Sequence, residues 1–231
     1  RDTVSYSKEV AKREIAATID NPVVLASGEI SSNGNFHGAP VAYVLDFLAI
    51  AATDLGSISE RRTDRMLDKH RNNGLPPFLA GDAGVDSGLM IAQYTAAGLV
   101  SESKRLAVPA SVDSIPSSAM QEDHVSMGSI SGRKFNQILG NLENILAIEL
   151  MFAAQGLEFR RPAKCSKIVE ENYAIIRSVV PKLEDDRLIG EDIDDLWEEI
   201  VNDSKSPLPS AVTTKLDLKL EHEIALHACD S

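Results

Sequence analysis

Only two cysteines, Cys165 and Cys229, occur in 231 residues. Two thiols make no disulfide framework, and their spacing fits no zinc site, so a reducing cytoplasm is the expected setting. Aromatics are also scarce, at 5%, while Ala, Leu, Ile and Ser are abundant. That composition favours packed helices over a β-sandwich. Basic residues number 23 against 35 acidic ones, for a net charge of -12. Phosphate binding needs clustered Lys and Arg, so nucleic acid and an anionic membrane surface are excluded as expected partners. No Gly-rich phosphate loop of the GxGxxG or Walker type is present, nor any internal repeat or signal-peptide pattern. The most apolar run, Ala39 to Ala52, contains Asp46 and is too short to span a bilayer. The first Met is Met66 and the sequence opens at Arg1, almost inside a helix. The chain is therefore expected to be a fragment or a processed product.

What remains is 43% hydrophobic, enough for a large helical core. Apolar spacing predicts a helix over Thr3–Ile19, stopped by Asp20-Asn21-Pro22. A short extended pair follows near residues 23–30, around Ala26-Ser27-Gly28, and then a loop from Ser31 to Gly38. Pro40 suits the first turn of a helix reaching about Asp68. Its first half is apolar nearly all round and is expected to be buried, and its second half is charged. Gly74–Asp86 reads as a loop. Ser87 to about Ala107 reads as a helix capped by Asp86 or Ser87. Val108–Ser117 is irregular. From about Ala119 to Arg160 the pattern predicts one long helix, with Gly128 and Gly132 allowing close approach of a neighbour and Ile145–Leu157 buried on every face but Glu149 and Gln155. So long an apolar helix argues for an oligomeric bundle. Ser166–Asp203 holds twelve acidic and four basic residues in two amphipathic helices split near Pro181, and Ser204–Ser231 is a tail. The domain reading is 1–161 as a helical bundle and 162–231 as an acidic helical region packed on it.

The chemistry concentrates in Gln121-Glu122-Asp123-His124. Ser118 and Gln121 have capping-box spacing, and carboxylates in a first turn complement a helix dipole. Glu122 is equally suited to acid/base work or to holding a cation, with Gln121 as a polar clamp. Phe36, in the loop before a buried helix, either walls a pocket or staples the helix entry. Ala26-Ser27-Gly28 is a tripeptide able to cyclise into an electrophilic methylidene-imidazolone, but between two short extended segments it reads as an ordinary turn. His222 and His227 are five apart, about 140° around a helix, and not the spacing of a zinc helix, so no metal site is expected. Glu60-Arg61-Arg62 reads as a solvated or intersubunit ion-pair face.

Several stretches together resemble the aromatic amino-acid lyase family, and within it the members acting on histidine. They are Asp20-Asn21-Pro22, Gly34-Asn35-Phe36-His37-Gly38, Leu55 to Arg62, Gly74 to Leu79, Ser87 to Ala97, Ala110 to Pro116 and Gln121 to Gly128. The resemblance covers about Asp20 to Arg160 and weakens beyond. It implies an all-α chain of about twice this length, assembled as a homotetramer with active sites shared between subunits. It implies elimination of ammonia from L-histidine to give trans-urocanate. By position, Phe36 matches the family's pocket aromatic and Glu122 its active-site carboxylate, as base or as substrate clamp, with Gln121 beside it. The implied cofactor, 4-methylideneimidazole-5-one, forms in the family from an Ala-Ser-Gly well upstream, so none is expected in this chain, and Ala26, Ser27 and Gly28 fall at a variable turn. The isolated chain is expected to be inert, needing the N-terminal portion as its partner. Asn33, Ala39, Val108 and Met120 depart from the pattern the resemblance implies, and Met120 is the one expected to alter the pocket. A lyase or aminomutase for another aromatic amino acid, and a helical assembly module without chemistry, are the alternatives.

Overall fold

A computed structural model describes residues 1–201, with side chains up to residue 198. His222, His227, Cys229 and the tail from Ser204 lie outside the described residues. Six helices and one hairpin make up the described residues. They are α1 (Asp2–Ala16), β1 (Val23–Val24), β2 (Ile30–Ser31), α2 (Ala39–Leu67), α3 (Met90–Leu106), α4 (Gly128–Glu158), α5 (Lys167–Val179) and α6 (Ile189–Val201). The expected all-α class holds, with the expected extended pair realised as the antiparallel hairpin β1–β2. The chain forms two compact units. The first comprises Arg1–Asp64 and Gln93–Leu146, and the second begins with Arg65–Ala92 and resumes at Ala147.

In the first unit, α1 stops three residues short of the predicted Ile19, with Ala17 already extended. The reason lies in the loop beyond β2, where the Asn33 amide donates to the carbonyls of Thr18 and Asp20. Those carbonyls are held out of helical geometry, and the Asn33 carboxamide oxygen in turn accepts from the Asn35 N–H. Asn33 is thus the staple of its loop. Helix α2 begins one residue before Pro40. It is not buried all round as its composition suggests. Ala42 and Ala49 lie on one buried face and Val44 is buried on the opposite one, while Tyr43, Phe47 and Ile50 between them are exposed, with the Tyr6 ring meeting Phe47 edge-on at 6.5 Å. Its polar residues lie inside instead. Glu60 is 3% exposed and accepts from Arg61 and from Gln93, so the expected solvated face is half interior. Against α2 packs the first half of α4. A side chain at Gly56 would meet Ile145 and Leu142, and one at Gly128 would meet Ala42, which is the close approach expected at Gly128.

The long helix predicted from Ala119 begins only at Gly128. Ser118, Ala119 and Met120 carry φ of 51°, 54° and 71°. Three successive left-handed residues cannot enter a right-handed helix. The capping box of Ser118 and Gln121 is therefore not formed, and Gln121–His124 is a turn and not a helix start.

In the second unit, a 3-10 turn at Pro77–Leu79 carries positive φ at Phe78 and Leu79. Leu79 is fully buried, and the Phe78 carbonyl accepts from the Leu89 N–H, so packing and hydrogen bonding hold this strained turn in place. Gly88, with φ of +57°, passes directly beneath it. A Cβ there would lie 2.5 Å from the Phe78 oxygen, so only glycine fits. The entry to α3 is capped from far away. The Asp186 carboxylate accepts from the backbone N–H groups of Ser87 and Gly88 at 2.8 and 2.9 Å, in place of the expected Asp86 or Ser87 side chain. These bonds, Ser87 first, hold the Asp186 carboxyl below its usual range.

Gln155, expected to be a polar break in a buried helix, is 1% exposed. Its amide donates to the Leu183 carbonyl, and its oxygen accepts from the Leu183 N–H and from Arg177. It pairs with the Leu183 backbone much as a neighbouring strand would. The two expected amphipathic helices are α5 and α6. A bidentate pair from Arg161 to Glu170 ties the end of α4 to α5 at 2.9 Å.

Replacing Gln155 with Leu strands the N–H and carbonyl of Leu183 in a dry site. Thermal unfolding of Gln155→Leu should show a loss of about 3 kcal/mol, and an unchanged midpoint would contradict this packing. Glu170 is shifted from 4.5 to about 2, first by the Arg161 bond and then by the Cys165 N–H. A depressed carboxyl contributes stability above its unfolded value and loses it as pH falls. Stability should therefore decline between pH 4.5 and about 2, and Glu170→Gln should flatten that part of the acid unfolding curve.

Candidate functional site

Two loops of the first unit meet here. One, residues 31–38, leads into α2, and its last carbonyl, on Gly38, accepts from the N–H groups of Val41 and Ala42 to start the helix. The other, residues 107–127, joins α3 to α4. Within it, Ser117 and Glu122 exchange both backbone hydrogen bonds, and the Gln121 N–H closes onto the Ser118 carbonyl. That tight turn raises Glu122. Ser114 Oγ accepts from the Val125 N–H, and the Ser126 hydroxyl donates to the His37 carbonyl, fastening one loop to the other.

The side chains brought together are Phe36, His37, Glu122 and His124. The Phe36 and His37 rings lie 4.3 Å apart, tilted by 35°. His37 Nε2 is 3.6 Å from Glu122 Oε2. That exceeds a direct hydrogen bond, so the contact is electrostatic and is an ion pair only when His37 carries both ring protons. His124 meets His37 edge-on at 5.9 Å. Glu122 is half-exposed, and Gln121 is exposed on the same turn. A carboxylate facing an imidazole that itself lies against an aromatic ring can accept a proton or hold a cationic or hydrogen-bonding ring.

Sequence reasoning named Phe36, Gln121 and Glu122. It overlooked His37 as a partner of Glu122, and it read Asp123 and His124 as first-turn structure, which the left-handed run rules out. An imidazole directly after an aromatic in a Gly-rich loop was the available signal. Met120 is 70% exposed beside Gln121. Val108 lends only its carbonyl, which accepts from Lys134 Nζ. A groove of about 590 Å³ lined by Tyr6, Val10, Arg13, Tyr43 and Phe47 contains none of the site residues.

Ala26-Ser27-Gly28 does not fit the cyclised electrophile. All three residues are exposed, and the Gly28 N–H donates to the Leu25 carbonyl at 2.8 Å in a tight turn. Nothing lies within 4 Å of a Cβ built on Gly28, so no packing compresses the turn. The expected reading as a turn stands. Among the described residues no cluster of three or more His, Cys, Asp or Glu is placed to hold a metal ion.

The comparisons with known proteins agree on the family. A family model described as aromatic amino acid lyase matches residues 1–178. A histidine ammonia-lyase of Streptomyces avermitilis is 68% identical over 172 residues, which is 73% of this chain and 34% of that protein. Among solved structures, a histidine ammonia-lyase from Trypanosoma cruzi superposes with a TM-score of 0.82 at 44% identity, covering 85% of this chain and 39% of that one. A tyrosine aminomutase from Streptomyces globisporus superposes with a TM-score of 0.83 at 38% identity, covering 87% of this chain and 38% of that one. The chain spans about a third of the length of the curated relative it matches at 68% identity. With the family model matching most of its length and the lyase helices superposing on its own, the chain belongs to the aromatic amino acid lyase family.

Proposed function

We propose that this chain is part of a histidine ammonia-lyase, supplying one wall of a site that eliminates ammonia from L-histidine to give trans-urocanate. The observation that carries the reading is the Glu122 carboxylate set 3.6 Å from His37, whose ring lies against that of Phe36. The β-proton of histidine is weakly acidic, so its removal needs a base held in position. Glu122 is that base or the clamp for the substrate's imidazole or ammonium, and Phe36 offers a flat apolar face to the ring. Likeness to the Streptomyces avermitilis enzyme supports histidine as the substrate. On this reading the 4-methylideneimidazole-5-one comes from residues outside the sequence given, and the complete enzyme is a cytoplasmic homotetramer. The second reading, an aromatic aminomutase, draws on the superposition with the tyrosine aminomutase. A charged wall suits an imidazole better than a phenol.

Urocanate absorbance tests the proposal. The complete enzyme should release urocanate from histidine, while these 231 residues alone should release none. In the complete enzyme, Glu122→Ala should lower kcat by about 100-fold or more with little change in KM if Glu122 is the base. A raised KM with kcat preserved would make it the clamp. Turnover of tyrosine in preference to histidine would overturn the substrate assignment.

A further inference from the structure

Asp46 lies on the apolar half of α2 and is 3% exposed. A buried carboxylate is costly unless it is fully engaged. Its Oδ2 accepts from the Ser111 N–H at 2.8 Å and from the Ser131 hydroxyl at 3.1 Å, while its Oδ1 faces Lys134 Nζ at 3.4 Å. Burial alone would raise its carboxyl, but the bonds from Ser111, Ser131 and Lys134 outweigh that and hold it below its usual value. Lys134 also donates to the Val108 carbonyl. An ion pair joining two helices would need only Lys134. Here the shortest contact goes to the loop backbone, and Lys134 itself reaches the same loop.

The loop so gripped is the one that carries Glu122. A turn closed by the Asp113 N–H on the Ala110 carbonyl contains Ser111. Next comes Ser114, whose hydroxyl oxygen holds Val125, and then the Ser117–Glu122 pair. At its far end, Ser126 binds the His37 carbonyl, just ahead of α2. Both loops of the site are therefore referred to one helix, one by chain continuity and the other through Asp46.

We propose that Asp46 is a positioning residue for the lyase site, fixing Glu122 against His37 through the backbone N–H of Ser111. This rests on the reading of Glu122 as the reacting carboxylate.

The test uses the complete enzyme, with histidine turnover and amide hydrogen exchange across residues 107–127 as separate readouts. Asp46→Ala should lower kcat by about 100-fold, the cost of a misplacement near 1 Å, with KM little changed. Asp46→Asn, which keeps an acceptor oxygen, should recover much of that loss. Ser111 occupies the second position of its turn, where proline is favoured, so Ser111→Pro removes the N–H without opposing the turn. It should reproduce Asp46→Ala, whereas Ser111→Ala, which keeps the N–H, should lose far less. Ser131→Ala removes a donor from the same carboxylate on the α4 side and should leave kcat unchanged. Loop exchange should rise in Asp46→Ala and Ser111→Pro alone. Equal losses in Ser111→Pro and Ser131→Ala, or losses that follow only the folded fraction by circular dichroism, would overturn the proposal. If Asp46→Ala does not fold, the two Ser111 variants decide. If the wild-type enzyme does not turn over histidine, the substrate reading fails, and loop exchange still decides the role of Asp46.

Discussion

The hydrogen bond from the Ser111 N–H to the buried Asp46 carboxylate is the contact on which the site side of this structure depends. Between α3 and α4 the chain runs from residue 107 to 127 with no helix to satisfy its backbone. Each peptide group in such a stretch must find another partner or stay in water. One carboxylate from α2 meets that need at Ser111, while Ser114 Oγ and the Ser117–Glu122 pair meet it further along. The second unit solves the same problem in the same manner. Asp186 takes two N–H groups before α3, and Gln155 pairs with both backbone groups of Leu183. Side chains act as substitute backbone for irregular segments, Asp46 and Gln155 from helices and Asp186 from the loop between α5 and α6. That explains why polar residues are sealed inside helices that otherwise read as apolar.

This device also marks the limit of what could be read in the sequence. Helix periodicity and proline placement located all six helices and the hairpin, because these signals are local. The predicted start of α4 at Ala119 failed for a physical reason. Met120 and Met127 fall seven residues apart, a helical spacing, and none of Ser118, Ala119 and Met120 is the glycine or asparagine that would announce a left-handed turn. Asp186 could not be recognised as the cap of α3, since it lies 98 residues from Gly88. Gln155 and Asp46 looked like interruptions in apolar runs for the same reason. Their partners are set by tertiary contact and not by spacing.

The site divides along the same line. Phe36 and Glu122 were identified through the family resemblance, and the residues themselves left Glu122 open between cap and site. The turn geometry closes the cap reading, because the backbone there is not helical. What no spacing could give is the meeting of residues 36–37 with residues 122–126, which depends on the bond from Ser126 to the His37 carbonyl. His37 thereby becomes the neighbour that most directly shapes the field at Glu122.

On the proposed reading, that field also depends on what lies beyond this chain. A carboxylate and an imidazole 3.6 Å apart interact weakly while water surrounds them, and much more strongly once water is excluded. Glu122 is half-exposed, and Val112, Ile115 and Met120 on its own loop are exposed as well, apolar surface that contributes nothing in water. A covering element would bury that surface, dry the carboxylate and bring an electrophile to face it in a single step. On the proposed reading, the residues outside this sequence do all three. Rigidity at the Glu122 loop then has a purpose before any cover arrives, because a wall held in place by Asp46 needs no reordering when the site closes.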